Sequence, residues 1–263
     1  MLPLFKHLKF ERMRRQRILL LFIISVLLSS CNHNYYIPNS QNVPIFKDKN
    51  EARLSVSSGG AVNMNTAEVQ AAYSLPFNIA LMGSFMYTEG GNEQELDYGY
   101  GRYFEGAIGY YKPVTKNGVV EFYAGYGSSS QYHHYAGDGD YHGKASLFFD
   151  KVFIQPSFGL YFKYFDLALS VRFSGLYFNK INNGIFDDSY DYDDVDLISR
   201  NKTSYLFEPA ITVRGGWKYV KVQFQYVVSK NLTNSELKFE RTNTSFGIYF
   251  SIDKRYRQVD DSF

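Results

Sequence analysis

His133, His134 and His142 fall within ten residues of one another in QYHHYAGDGDYHGK, alongside Asp138 and Asp140 and just after Ser128, Ser129 and Ser130. A serine activated by an imidazole that an acid orients performs acyl transfer and ester hydrolysis. These residues could therefore serve a membrane-lipid hydrolase, although their spacing matches no hydrolase motif. A second concentration of chemistry is DDSYDYDDVD, residues 187 to 196, with six aspartates. Oxygen-rich clusters hold calcium, and Asp188, Asp191, Asp193, Asp194 and Asp196 would be its ligands. The EF-hand spacing and its closing glutamate are absent, so a solvated acidic loop is the simpler account. The glycines of GYGRYFEG (99–106) open no helix, which removes the geometry that cradles phosphate. None of these groupings calls for a cofactor.

The elements that must carry these residues follow from a period of two. In GRYFEGAIGYY (101–111) Phe104, Gly106, Ile108 and Tyr110 share one parity, and Tyr103, Glu105, Ala107, Gly109 and Tyr111 the other. Side chains at i and i+2 share a face of a strand. The same alternation runs through VVEFYAGYG, DLALSVRFSGLYF, YLFEPAITVR and VKVQFQYVV. It predicts ten strands, at 51–59, 65–75, 77–88, 99–112, 118–131, 145–162, 165–179, 202–214, 217–229 and 241–252. The connections alternate between short (74–78, 112–118, 163–166, 215–218) and long (88–99, 131–144, 179–203, 230–241), with only the first hairpin breaking the rule. Every second turn of an up-and-down barrel lies at the same end, so one end is trimmed and the other elaborated. Bacterial outer-membrane barrels have that asymmetry, with long loops outside and short turns in the periplasm. The expected fold is an all-β, antiparallel up-and-down transmembrane barrel covering 51–252.

Composition of the polar face indicates which side faces lipid. It is dominated by small residues such as Ala80, Ser84, Gly125, Gly127, Ser157, Gly159 and Ser170, which suit a crowded lumen. Among them stand four acids, Glu68, Glu105, Glu121 and Glu208, and five bases, Arg53, Lys151, Arg172, Arg214 and Lys221. Buried charges need partners, because stranding one costs about 3–5 kcal/mol. A lumenal ion-pair network is expected, with the apolar face turned to outer-membrane lipid. Tyr73, Tyr87, Tyr110, Tyr126, Tyr161 and Tyr177 suit interface girdles. Asp150 falls on the lipid parity and requires its strand to project above the bilayer, while Pro156 and Pro209 predict bulges or weak pairing. So small a barrel filled with long Arg and Lys leaves little room for a pore, which keeps a narrow channel as an alternative only.

The single cysteine, Cys31, ends the run LLLFIISVLLSSC behind the basic stretch KHLKFERMRRQR. That apolar run is too short to span a bilayer, which takes about 20 residues, and it has the layout of a secretory signal peptide over 1–30. Leu28-Ser29-Ser30-Cys31 resembles the lipobox of bacterial lipoproteins, which implies acylation of Cys31. Met13 is an alternative start. Without residues 1–30 the chain carries 22 basic against 25 acidic side chains, so net charge offers no case for nucleic acid. With Cys31, the stretch YYIPNSQNVPIFKDKNEARLSVS (35–57) and the terminal strand SFGIYFSI (245–252), the chain resembles small outer-membrane β-barrel lipoproteins of Bacteroidetes. That resemblance implies delivery by the barrel-assembly machinery and no assigned catalysis or ligand. Phe246 and Phe250 resemble the terminal assembly signal, with Phe263 a competing candidate. Asn32-His33-Asn34 lacks the acids of surface-exported lipoproteins. The expected organisation is a lipidated linker at 31–50, the barrel, and a tail at 253–263, with both termini in the periplasm. The expected role is structural or surface-binding, the alternatives being lipid hydrolase or narrow pore.

Overall fold

The alternation becomes a single sheet. The computed structural model describes residues 33–252 apart from 63, 137–142 and 186–189. The signal segment, Cys31, Asp138, Asp140, His142, Asp188, the tail at 253–263 with Phe263, and the side chain of Asp191 thus lie outside the description. Ten long strands are β1 (Ala52–Ala61), β2 (Met64–Ser74), β3 (Ile79–Asn92), β4 (Asp97–Pro113), β5 (Gly118–Tyr135), β6 (Gly143–Tyr161), β7 (Phe165–Gly184), β8 (Thr203–Gly216), β9 (Val220–Val228) and β11 (Thr242–Ile252), while the two-residue β10 (Lys230–Asn231) adds a short ladder to β8. Neighbouring strands pair antiparallel, β9 joins β8 to β11, and β11 closes on β1 from Ala52↔Ile252 to Gly60↔Thr244. The result is the expected closed barrel of ten strands. Closure leaves no long unpaired edge.

The apolar parity faces outward. Phe104, Ile108, Phe122, Val152, Leu169 and Val222 are exposed, and Phe104 and Val222 reach 59% and 62%. The polar parity is buried inside. The turn end carries an exposed aromatic set, Phe77, Phe162, Tyr164, Trp217 and Tyr219. Tyr73, Tyr110, Tyr126 and Tyr177 are exposed, whereas Tyr161 is not. It turns inward and donates its hydroxyl to the Lys116 carbonyl at 2.6 Å.

Several strands run further toward the long loops than the sequence pattern indicated, β7 to Gly184 and β5 to Tyr135. Strands of 18 to 20 residues exceed the 9–11 or so that cross a bilayer. Asp150 lies on the outer face, accepting from Tyr126 Oη at 2.5 Å and Asn179 Nδ2 at 2.6 Å. The register shift in the β6–β7 pair sits at Phe148/Phe149, not at a proline. Pro156 and Pro209 instead mark gaps in pairing: the β6–β7 ladder skips 155–156, and the β8 ladder to its other neighbour skips 208–209, separating β9 from β10. Proline has no N–H to donate there.

Two segments depart from expectation. Residues 35–46, expected within a linker, lie buried along the lumen. From Tyr190 onward the acidic stretch, expected as a solvated loop, is helix α1 (Tyr190–Arg200), which buries Val195 and Ile198 with Tyr35, Tyr36, Leu206 and Leu237 at the loop end.

Candidate functional site

The occupied lumen is where the polar side chains converge. Between Asn34 and Phe46 the chain has no Asp, Glu, Lys or Arg and carries two prolines, Pro38 and Pro44. Such a segment brings no charge of its own into the barrel, and each proline removes one donor that would need a partner. What it does bring is a row of backbone amides and carbonyls. The wall answers them with side chains.

From the loop end downward, His33 Nε2 lies 2.6 Å from Asp97 Oδ1 and its Nδ1 3.2 Å from His133 Nδ1. The amide of Tyr35 donates to the Lys238 carbonyl at 2.9 Å, and that of Glu240 to Tyr36 at 2.7 Å. Asn243 Nδ2 donates to the Pro38 carbonyl at 2.7 Å. Glu68 accepts the Ser40 amide with both oxygens, at 2.9 and 3.1 Å. Gln225 holds Gln41 from both sides, accepting from its N–H at 2.6 Å and donating to its carbonyl at 2.9 Å, as a neighbouring strand would. Gln155 and Arg214 donate to the carbonyls of Asn42 and Val43, both at 2.8 Å, and Arg53 Nε and Tyr249 Oη to that of Pro44, at 3.1 and 2.8 Å. Glu121 takes the amides of Ile45 and Phe46 at 3.2 and 2.9 Å. Lys47 Nζ finally reaches the Lys116 carbonyl in the β4–β5 turn.

All nine charged residues expected in the lumen are buried there, and two ion pairs join members of the set. Arg172 grips Glu105 with two parallel bonds of 3.0 Å each, and Lys151 meets Glu208 at 2.9 Å. Lys151 also donates to Tyr36 Oη at 2.7 Å, and that hydroxyl donates to Glu208. Arg53 pairs with Glu51 and Lys221 with Asp166, each at 2.7 Å. Glu51 and Asp166 went unnamed in the sequence, yet each stands two residues from an inward position, so parity was the signal for both. Arg214 bonds Gln223 at 2.7 Å and covers the Tyr249 ring at 3.8 Å. Glu68 and Glu121, finally, hold backbone amides instead of cations.

The layer of charges is bounded by two apolar clusters that the segment completes. Tyr35, Tyr36 and Ile37 join Phe149, Leu176 and Phe178 toward the loops, and Val43, Ile45 and Phe46 join Tyr111, Tyr123 and Phe153 toward the turns. Gly159 makes room for this packing, since a Cβ there would come within 2.8 Å of the Ile45 side chain.

Among the described residues the catalytic candidates are not brought together. Ser129 and His133 are buried on the inner face, and His133 spends its Nδ1 on His33. Ser128 and His134 are on the outer face, where His134 stacks on Tyr98 with ring centroids 4.4 Å apart. Among the acidic residues, Asp194 pairs with Lys238, Asp196 with Arg200 at 2.6 Å, and Asp193 is exposed. No metal-binding group of three ligands occurs among the described residues.

No protein-family model matches this chain, and no curated protein does. Solved barrels are similar in structure. The translocator domain of the autotransporter NalP from Neisseria meningitidis superposes with a TM-score of 0.51 at 8% identity, over 80% of this chain and 90% of that one. The outer membrane protease OmpT from Escherichia coli gives 0.40 at 10% identity, over 78% and 94%. The N-terminal barrel domain of Pseudomonas aeruginosa OprF gives 0.34 at 8%, over 78% and 98%. At such identities the likeness to NalP bears on architecture alone: a closed antiparallel barrel.

Proposed function

We propose that this chain is an integral outer-membrane β-barrel lipoprotein, acylated at Cys31 and sealed by its own residues 33–46, with a structural or surface-binding role and no catalysis. The observation that carries this reading is the inverted distribution of side chains. Leu54, Val56, Phe104, Ile108, Val152 and Phe246 point outward while Arg172, Lys151, Glu208 and Glu121 are sealed at the axis. A water-soluble barrel would gain nothing from that arrangement, whereas in hydrocarbon only a barrel closed on itself satisfies every strand. The closed antiparallel barrel shared with the NalP translocator domain supports the architecture this reading needs. The lipid bilayer and the barrel-assembly machinery are its partners in this reading; nucleic acid is not.

Residues 33–46 fill the channel, so the intact chain is expected to be silent in planar bilayers. The test is heat-modifiable gel migration of purified outer membranes combined with protease access to the loop around α1. A chain that remains monomeric in water without detergent once its acyl group is removed would sink the reading.

A further inference from the structure

We infer that the chain enters its barrel from the loop end, so that the mature N-terminus and residue 252 belong to opposite faces of the membrane. Strands alone give an even number of crossings, ten, which agrees with the expectation that both termini lie on one side. The lumenal segment adds an eleventh. Its direction is fixed by its partners in order: Asp97 and Lys238 at the loop end meet His33 and Tyr35, Glu68 and Gln225 meet Ser40 and Gln41 midway, and Glu121 and Lys116 at the turn end meet Phe46 and Lys47. Ile252, paired with Ala52, ends at the turn side.

Length decides against a return. A chain extends at most about 3.3–3.6 Å per residue, so the two residues from Cys31 to His33 reach at most ~7 Å. The hydrocarbon core is about 30 Å thick. An acyl group on Cys31, resting on the acylation proposed above, would therefore have to be held by the leaflet on the loop side, where His33 lies. If the long loops face outward, as in outer-membrane barrels, the anchor is displayed on the cell surface although Asn32-His33-Asn34 lacks acids. The polypeptide thus passes through its own pore between its lipid and its first strand.

Two measurements on the full chain in its membrane test this. Ser40 Oγ and Ser245 Oγ are 3.0 Å apart inside the lumen, so Ser40→Cys with Ser245→Cys should form a disulfide when a mild oxidant such as copper–phenanthroline is added to accept the two electrons of the paired thiols. The non-reduced, heat-denatured protein should then run as a looped species. A folded, heat-modifiable barrel with no such bond overturns the threading.

For sidedness, a protease site is inserted between Asn32 and His33, and loss of palmitate label from the barrel is followed after protease is added to intact cells. Separate Ser235→Cys and Lys163→Cys variants, read with a membrane-impermeant maleimide, mark the loop and turn ends; Cys31 is the only native cysteine. Label loss that follows Ser235 supports the proposal, and label loss that follows Lys163 overturns it. If palmitate never labels the chain but cleavage, read by mass, follows Ser235, acylation is refuted and the threading stands. A chain recovered without detergent refutes the membrane reading, while the disulfide still reports on the lumen.

Discussion

At the scale of single residues the lumen distinguishes charges that balance each other from charges that hold backbone. Arg172 has no exposure and is matched by Glu105 in a two-bond fork. Removing one partner strands the other, at a cost of about 3–5 kcal/mol, whereas replacing both is far milder. Arg172→Leu should accordingly lower the temperature at which the folded band disappears on gels, and Arg172→Leu with Glu105→Leu should recover most of the loss. Glu121 is different, because its partners are the amides of Ile45 and Phe46. Glu121→Ala leaves two buried donors unsatisfied, each costing about 1–3 kcal/mol. Faster amide hydrogen exchange confined to 43–47 is the expected readout, and unchanged exchange there would refute the role given to Glu121.

At the scale of elements, the lumenal segment and α1 are the two pieces the strands do not determine. Deleting residues 34–46 withdraws the amides from Glu68 and Glu121 and the apolar side chains from both inner clusters. Planar-bilayer recordings should then show conductance steps where the intact chain shows none. If the deletion variant folds, by its heat-modifiable shift, and stays silent, the segment does not seal the channel. The helix caps the loop end through Val195 and Ile198, three residues apart on one face. Val195→Asp would bury an unpaired carboxylate or release the helix, and protease should cut within 190–200 faster than in the parent, with the barrel itself intact.

For the whole molecule, everything rests on the oily outer wall facing lipid. An arginine at the bilayer midplane of a barrel costs about 2–4 kcal/mol, and near the interface about 0–1. Ile108→Arg in β4 should therefore destabilise refolding into vesicles far more than Trp217→Arg at the β8–β9 turn. Equal effects of the two, measured by denaturant titration in lipid, would contradict the orientation.

What the sequence determined by itself was whatever period two can express: ten strands, the alternation of short and long connections, and the inward parity that carries Arg172 and Glu105. Facing is local, because consecutive side chains of a strand must point to opposite sides. The bulge in the β6–β7 pair, where Asn179 is the extra residue, flips the facing of β7 only beyond the stretch in which alternation was read, so it left no mark on the pattern. The partners of Glu68 and Glu121 were invisible for a different reason. They are backbone amides of a segment with no periodicity, whose one hint was an unbroken lack of charge from Asn34 to Phe46. A run of this kind can lie in any groove that offers acceptors and donors. Only closure of the barrel created a channel lined with Gln225, Gln155 and Arg214 at the right heights, and so only the tertiary structure decided that the chain passes through itself.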